Sequence, residues 1–499
     1  MTQTAPFYPD WKAPADDGSI YIWPEPAKLC EELLRSASRL AAENSVRIQN
    51  VPLAEVRLRQ RRIFGHSKPI IATGHQAELY HPGVWVKDVL ASVVAKRIGC
   101  RAWRFIVDTD QPKNLSLRAP GISLPITDDP KLTSAAWTEF LHGPSPEHLA
   151  KIRHTVAEIG SQWGFEPALT GRLSDLESES IQPLVGLLNR MTFRLNNSLG
   201  VEYLTGDVSS TTKAEPYLLL VHHLLTRGEK FAHQYNAALK DYRRRHKLRS
   251  EAQPMPDLVI QADRCEAPFW LDDLIAGSRQ RAIIHKTKDG WALVAGDDFA
   301  LDSSADGWRA AGRLRDFLNA RKLRLTPRAL TLTLFFRLLL ADQFIHGIGG
   351  ARYDQITDAL MAEHFGIEPP SFSVTTATLF FPAAAGKKRV DLSRLAHEGH
   401  QLQHRLLGER KIELAEEISD LPRLSSQRRA AFEQMHRLLA DARNSDPAWA
   451  AWQANFQTAK KQSADEVHLF DRELFFAIQP AERLLAMVRQ FEAAFAQVG

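Results

Sequence analysis

The chain has 499 residues, enough at roughly 100 to 200 residues per domain for two or three domains with a sizeable core. Apolar residues make up 44% and charged residues 24%, with 27 Gly and 27 Pro, which excludes wholesale disorder and fibrous repeats. The 63 basic and 59 acidic residues leave a formal charge of only +4, so the whole chain carries neither a nucleic-acid nor a membrane-surface footprint.

The opening residues, MTQTAPFYPDWKAPADDG, lack a basic segment followed by an apolar one, so no signal peptide is expected. The greasiest stretch, Ala329 to Ala341, is short for a bilayer and carries Arg337. The expectation is a soluble cytoplasmic protein. Cys30, Cys100 and Cys265 are odd in number and far apart, so they form no disulfide or zinc framework. Cys100, between a helix stop and a buried strand, reads as a core thiol.

In chain order, Pro69 to Thr73 predicts a buried strand and Gly74 to Gly83 a polar loop. Val86, Val89, Leu90, Val93, Val94 and Ile98 then recur at helical spacing over Val84 to Ile98, with Gly99 as the stop. An apolar strand, Ala102 to Val107, ends at Asp108-Thr109-Asp110. Strand, loop, helix and strand make a βαβ unit, which requires a parallel sheet and an α/β fold class. Residues 130–200 read as a helical insertion, with Ile181, Leu184, Leu187 and Leu188 on one face. Val201 to Thr205 predicts a strand running into Gly206 to Thr212, and Glu215 to Leu225 a helix.

Arg281 to His285 and Trp291 to Val294 flank Asp289-Gly290, a hairpin signal. Thr326-Pro327 reads as the cap and first turn of a helix reaching Leu340. A second glycine loop, His346 to Gly350, precedes a helix from Tyr353 to Phe365, closed by Gly366 and Pro369-Pro370. From Val390 the composition turns to long polar helices. Leu392, Leu395, Leu402 and Leu406 keep a heptad that Gly399 interrupts and Pro422 ends. Phe432, Met435, Leu438 and Leu439 begin a second stripe, and Phe470 to Val488 a third. The expected division is a core of residues 1–389 and a C-terminal helical, coiled-coil-like arm of 390–499, which could form a homodimer.

Ligands of open parallel sheets bind beyond the carboxyl ends of the strands, where loops and helix N-termini meet. Two features fall there. The first loop offers Gly74, His75, Gln76 and His81, and the next strand ends in Asp108 and Asp110, expected on one face because side chains alternate. Histidine can carry a proton or bind phosphate, and paired carboxylates can accept protons or hold a metal. The same residue types also satisfy turns and caps. The second loop offers His346, Gly347, Gly349 and Gly350, whose glycines allow close backbone approach to an anion or simply a tight turn. It matches neither a P-loop nor a dinucleotide fingerprint. Asp342 and His346, with His75 or His81, could form a metal site if the preceding helix continues. Ser209 to Thr212 could bind phosphate or cap a helix. The basic run Asp241 to Arg249 could hold an anion or be a solvated helix end.

Ile70-Ile71-Ala72-Thr73-Gly74-His75-Gln76 and the strand ending Asp108-Thr109-Asp110 resemble the opening of the bacillithiol biosynthesis cysteine-adding enzyme family. A second segment follows the same order: Leu325-Thr326-Pro327, Phe336-Arg337, Ile348-Gly349-Gly350 and Phe365 to Pro370. The resemblance implies a nucleotidyltransferase-like Rossmann core with inserted segments and a C-terminal coiled coil. It also implies a ligase joining cysteine to a glucosaminyl-malate acceptor. An ATP- or ADP-type nucleotide with Mg is the expected ligand of the Rossmann-like core. This sequence departs at three points. His75 stands where the family has Gln, Thr109 where it has His between two acids, and Ala351-Arg352-Tyr353 where it has Pro-Gly-Glu, Asp354 falling one place later. A divergent relative with a different acceptor is therefore expected.

In that scheme the catalytic residues are His75, Asp108 and Asp110, and the binding residues are Gly74, Gln76, His81, His346, Gly347, Gly349, Gly350 and Asp354. The alternatives are a non-catalytic nucleotide- or sugar-binding protein, or a metal-dependent hydrolase. No nucleic-acid or membrane partner is expected.

Overall fold

The computed structural model describes residues 8–65, 68–111, 113–177, 182–250, 252–288, 290–303 and 306–498. Two compact units divide the chain: 1–379 together with 472–499, and 380–471. The boundary expected at 389/390 falls earlier, and the last segment belongs to the first unit rather than to the arm.

In chain order the strands of the two larger sheets are β1 (Ser19–Trp23), β2 (Ile70–Gln76), β3 (Arg101–Val107), β4 (Leu204–Asp207), β5 (Arg264–Asp273), β6 (Ser278–Thr287), β7 (Gly290–Leu293), β8 (Phe299–Leu301), β9 (Leu323–Pro327), β10 (Gln343–His346) and β11 (Phe372–Thr378). The main sheet has the order β1-β11-β10-β2-β3-β4. Its pairings are parallel except β1 with β11. The α/β fold class expected from the sequence is thus observed. Ile70, Ile71 and Ala72 of β2, and all of β10, are buried, as strands covered on both faces must be.

The helix after β2, α1 (Pro82–Ile98), starts with proline at its first turn, and His81 Nδ1 accepts the Gly83 N–H at 3.1 Å. Trp85, Val86, Val89, Leu90, Val93 and Val94 are buried, so α1 runs through the core. The helix after β10, α2 (Ile348–Leu360), begins five residues earlier than expected, because Gly347 caps it and Gly349 and Gly350 form its first turn. The second glycine loop is therefore a strand end joined directly to a helix. Similarly, β2 extends through Gly74, His75 and Gln76, so these residues end the strand rather than lie in a loop.

A second, antiparallel sheet with the order β8-β7-β6-β5-β9 lies outside the βαβ pattern. It contains the expected hairpin as β6 and β7, paired from Ile284–Leu293 to Thr287–Gly290, while Asp289 lies outside the described residues. Thr326 and Pro327 do not start a helix. They pair with Trp270 and Phe269 in β5, Thr326 Oγ1 donates to Asp272 at 3.0 Å, and the helix begins at Ala329. The helical insertion is found as Pro146–Trp163 and Leu184–Ser198, with Ile181 outside the described residues, but a ribbon, Ser116–Ala119 with Ile122–Pro125, precedes it. The strand expected at Val201 to Thr205 is β4, shifted toward Asp207.

Residues 380–471 hold the helices Leu392–Arg405, Glu409–Asp420, Ser426–Ser445 and Pro447–Glu466. Gly399 does not interrupt their packing. A Cβ there would lie 2.1 Å from the Trp452 ring, so glycine is what admits the indole, whose Nε1 donates to Leu395 O at 2.9 Å. Of the second stripe Leu439 is buried, while Phe432 and Leu438 are exposed. The third is not an arm helix. Phe476 stacks on Trp85 and Tyr80, its N–H bonds Tyr80 O, and the helix Ala481–Phe495 packs on α1. Among the described residues no helix is long and apolar enough to cross a membrane.

Candidate functional site

From β2 the chain crosses by α1 to β3 on one side, and from β10 it crosses by α2 to β11 on the other. The neighbours β2 and β10 therefore flank a topological switch point, where a crevice opens beyond the strands' carboxyl ends. A cavity of about 430 Å³ lies there, lined by Gly74, His75, His81, His346, Gly347, Gly349 and Gly350. Both sequence-predicted loops thus meet at one place. The N-termini of α1 and α2 open into it, and a Cβ at Gly347 or Gly349 would meet no atom within 4 Å. Lys87, Thr376 and Arg472 also line it and were not singled out from the sequence.

His346 has the most developed polar surroundings. Its Nε2–H donates to Asp354 Oδ2 at 2.8 Å, and Arg337 Nη1 reaches the same oxygen at 2.5 Å. Arg337 also pairs with Asp358 at 2.6 Å, and Tyr8 donates to Asp358. Burial alone would raise the Asp354 carboxyl, but Arg337 and then His346 outweigh it and hold the group well below the usual carboxylate range. Asp354 Oδ2 engages Nε2, so Nδ1 is the ring nitrogen turned away from the carboxylate. A Cβ at Gly350 would lie 3.0 Å from that Nδ1, so glycine gives the ring its room.

The other cavity groups are polarised differently. About a quarter of the His75 side chain is exposed, yet the protein around it and then the Lys87 charge keep its imidazole well below the ordinary value. His81 faces Glu473 Oε2 at 3.5 Å. Lys87 is buried and donates to Gly74 O at 2.8 Å. Burial brings its amine down to about 8, against the pull of Asp88. The arrangement combines helix N-termini, imidazoles and a buried amine, which together suit an anion beside a proton acceptor.

Several predicted residues lie elsewhere. Gln76 Nε2 donates to Asp110 outside the cavity lining. Asp108 accepts from Ser209 N at 2.9 Å and from Ser209 Oγ, holding the start of the short helix Val208–Thr211. Burial raises its carboxyl to about 6, partly offset by those bonds. The two carboxylates do not share one face toward a ligand, because the strand ends at Val107 and its alternation stops there. Thr211 and Thr212 hydroxyls bond Asp207 O and Ser209 O, so this segment is tied to its own helix. Asp342 immediately precedes β10 and His346 ends it. Asp342 is fully buried and engaged by Arg57 at 2.8 Å, Arg61 at 2.5 Å and Ile70 N at 2.7 Å, which removes it from the expected metal set. Among the described residues no group of three or more His, Cys, Asp or Glu is placed to hold a metal. Burial pushes the Cys100 thiol up to about 12, in keeping with a core thiol.

Arg337 carried a signal the sequence did show, a charge inside an apolar run, which must find a partner. Lys87 interrupts the apolar face of α1 in the same way. No protein-family model matches this chain, and no curated protein is significantly similar to it.

Proposed function

We propose that the protein is an enzyme that joins an amine to a carboxyl compound on a small, anionic substrate, as a ligase related in reaction class to the cysteine-adding family. The observation that supports this is the His346–Asp354 pair at the mouth of two helix N-termini. In this scheme His346 Nδ1 accepts the proton released when the amine attacks. Asp354 and Arg337 orient the ring, and Gly349, Gly350 and Lys87 receive negative charge. A Rossmann-like, nucleotidyltransferase-like assignment of the sheet belongs to the same proposal, supported by its switch point.

An ATP-type nucleotide would supply carboxyl activation. The glycine backbones and Lys87 suit a phosphate, whereas Asp108 and Asp110 do not suit its Mg, since Ser209 and Gln76 engage them. His75 and His81 would position the anion. The test is product formation, read by mass spectrometry, from cysteine, ATP and amino-sugar acceptors. The expected result is amide product in the wild type and at least a hundredfold less in His346→Ala and His75→Ala. Ligand binding without product in the wild type would favour the non-catalytic binding protein instead. The helices of 380–471 are proposed to form a homodimer, supported by exposed Phe432 and Leu438. Light scattering of the full chain giving a monomer would overturn that.

A further inference from the structure

A separate cavity of about 740 Å³ lies against α2 beyond its first turn, within the size range of small-molecule sites. Its walls combine three kinds of group. Tyr242 and His246 pack ring on ring at 4.2 Å, and Tyr353 stands 6.4 Å from Tyr242 with 41% of its surface exposed. Arg245 and Arg352 stand at the lining as cations. Arg245 uses Nε on Asp241, and Arg352 uses Nη2 on Trp11 O and Asp10, so each guanidinium retains further N–H donors. Gln355 is 7% exposed, lines the cavity, and its amide makes no hydrogen bond among the described residues. Its amide atoms are not sealed from solvent, so they stand open to a polar edge inside the cavity.

We infer that this cavity binds a flat heteroaromatic ring carrying a phosphate. The ring stacks on the exposed Tyr353 and His246 faces, the Gln355 amide donates to and accepts from the ring edge, and the arginines take the phosphate. The basic run Asp241 to Arg249, otherwise a solvated helix end, gains a role in it through Arg245 and His246. The inference does not depend on the proposed ligase activity. The Tyr8 wall of this cavity also ends the buried chain Tyr8, Asp358, Arg337, Asp354 and His346.

Isothermal titration of the full chain tests it, with AMP and flavin mononucleotide distinguishing the two ring sources, and adenosine and ribose 5-phosphate supplying the separate halves. The expected result is one-to-one binding of at least one ring phosphate, with either half at least tenfold weaker. Tyr353→Ala, a surface change, should weaken binding about tenfold, and Gln355→Leu similarly. Absence of binding by both ring phosphates up to millimolar concentration would overturn the inference. So would affinity indifferent to Tyr353→Ala.

Discussion

Replacing Asp354 by Asn keeps the shape of the side chain and removes one negative charge from a fully enclosed cluster. Asp354 and Arg337 are each 1% exposed and 2.5 Å apart, and His346 donates to the same carboxylate. Breaking a buried pair usually costs about 3 to 5 kcal/mol. Arg337 retains Asp358 at 2.6 Å, which places the loss at the low end, about 3 kcal/mol. With an unfolding entropy of about 2 cal/mol/K per residue in a unit this large, the thermal midpoint should fall by about 3 to 4 °C. The pH dependence has a definite sign. The folded-state carboxyl lies below its unfolded value, so its stabilisation is complete above the ordinary carboxylate range and is lost as pH falls through the lower folded value. The stability difference between wild type and Asp354→Asn should therefore be flat from about pH 5 to 8 and shrink only below about pH 4. Denaturant titration across pH, with calorimetry at pH 7, reads both quantities. A difference below about 1 kcal/mol, or one that disappears between pH 8 and 5, would refute the ionised, load-sharing role of Asp354.

Three further outcomes follow from the packing. Asp342→Ala strands Arg57 and Arg61 in the core and should cost about 4 kcal/mol or more by denaturant unfolding; a loss under about 1 kcal/mol would contradict the buried triad. Gly399→Ala drives a methyl into Trp452 and should destabilise residues 380–471 by about 1 to 3 kcal/mol, seen as faster limited proteolysis confined to that segment, whereas unchanged cleavage would show that the contact does not matter. Asp108 has a folded value near 6, above its unfolded one, so its ionised form destabilises the fold above pH 6 and the cost is relieved as pH falls toward 4. Relative to Asp108→Asn, the wild type should gain about 2 to 3 kcal/mol across that interval. A parallel pair of pH profiles would rule this out. The comparison with the variant matters because buried His222 and half-buried His364, brought down to about 4, act in the opposite direction as pH falls.

The βαβ unit was legible because Ile70 to Ile98 combines a short apolar run, a proline-glycine turn and apolar residues at helical spacing. The antiparallel sheet was not. Its β5 strand, Arg264–Asp273, mixes Glu266, Pro268 and Asp272 into a buried run, and Thr326-Pro327 carries a strong helix-start signal that pairing with β5 overrides. Strand β11, largely Ser and Thr, lacks an apolar run although every residue is buried. Within the site, the histidines and glycines were visible by type and place, while the partners that set their chemistry were not. Asp108 meets Ser209, and Arg337 meets Asp354, only through tertiary packing. Arg472 reaches the cavity because the chain returns to the core after residue 471, which no local pattern announces.

The central claim is that the switch-point cavity holds an anion beside His346. Thermal-shift titration of the full chain with ATP and ADP, each with and without magnesium, tests it directly when repeated on His346→Ala and Lys87→Met. A ligand at a hundredfold excess over its dissociation constant adds about 2.7 kcal/mol of stability. A stabilising shift in the wild type that is reduced in both variants is the predicted result. No shift with either nucleotide, or a shift that both variants retain in full, would contradict it.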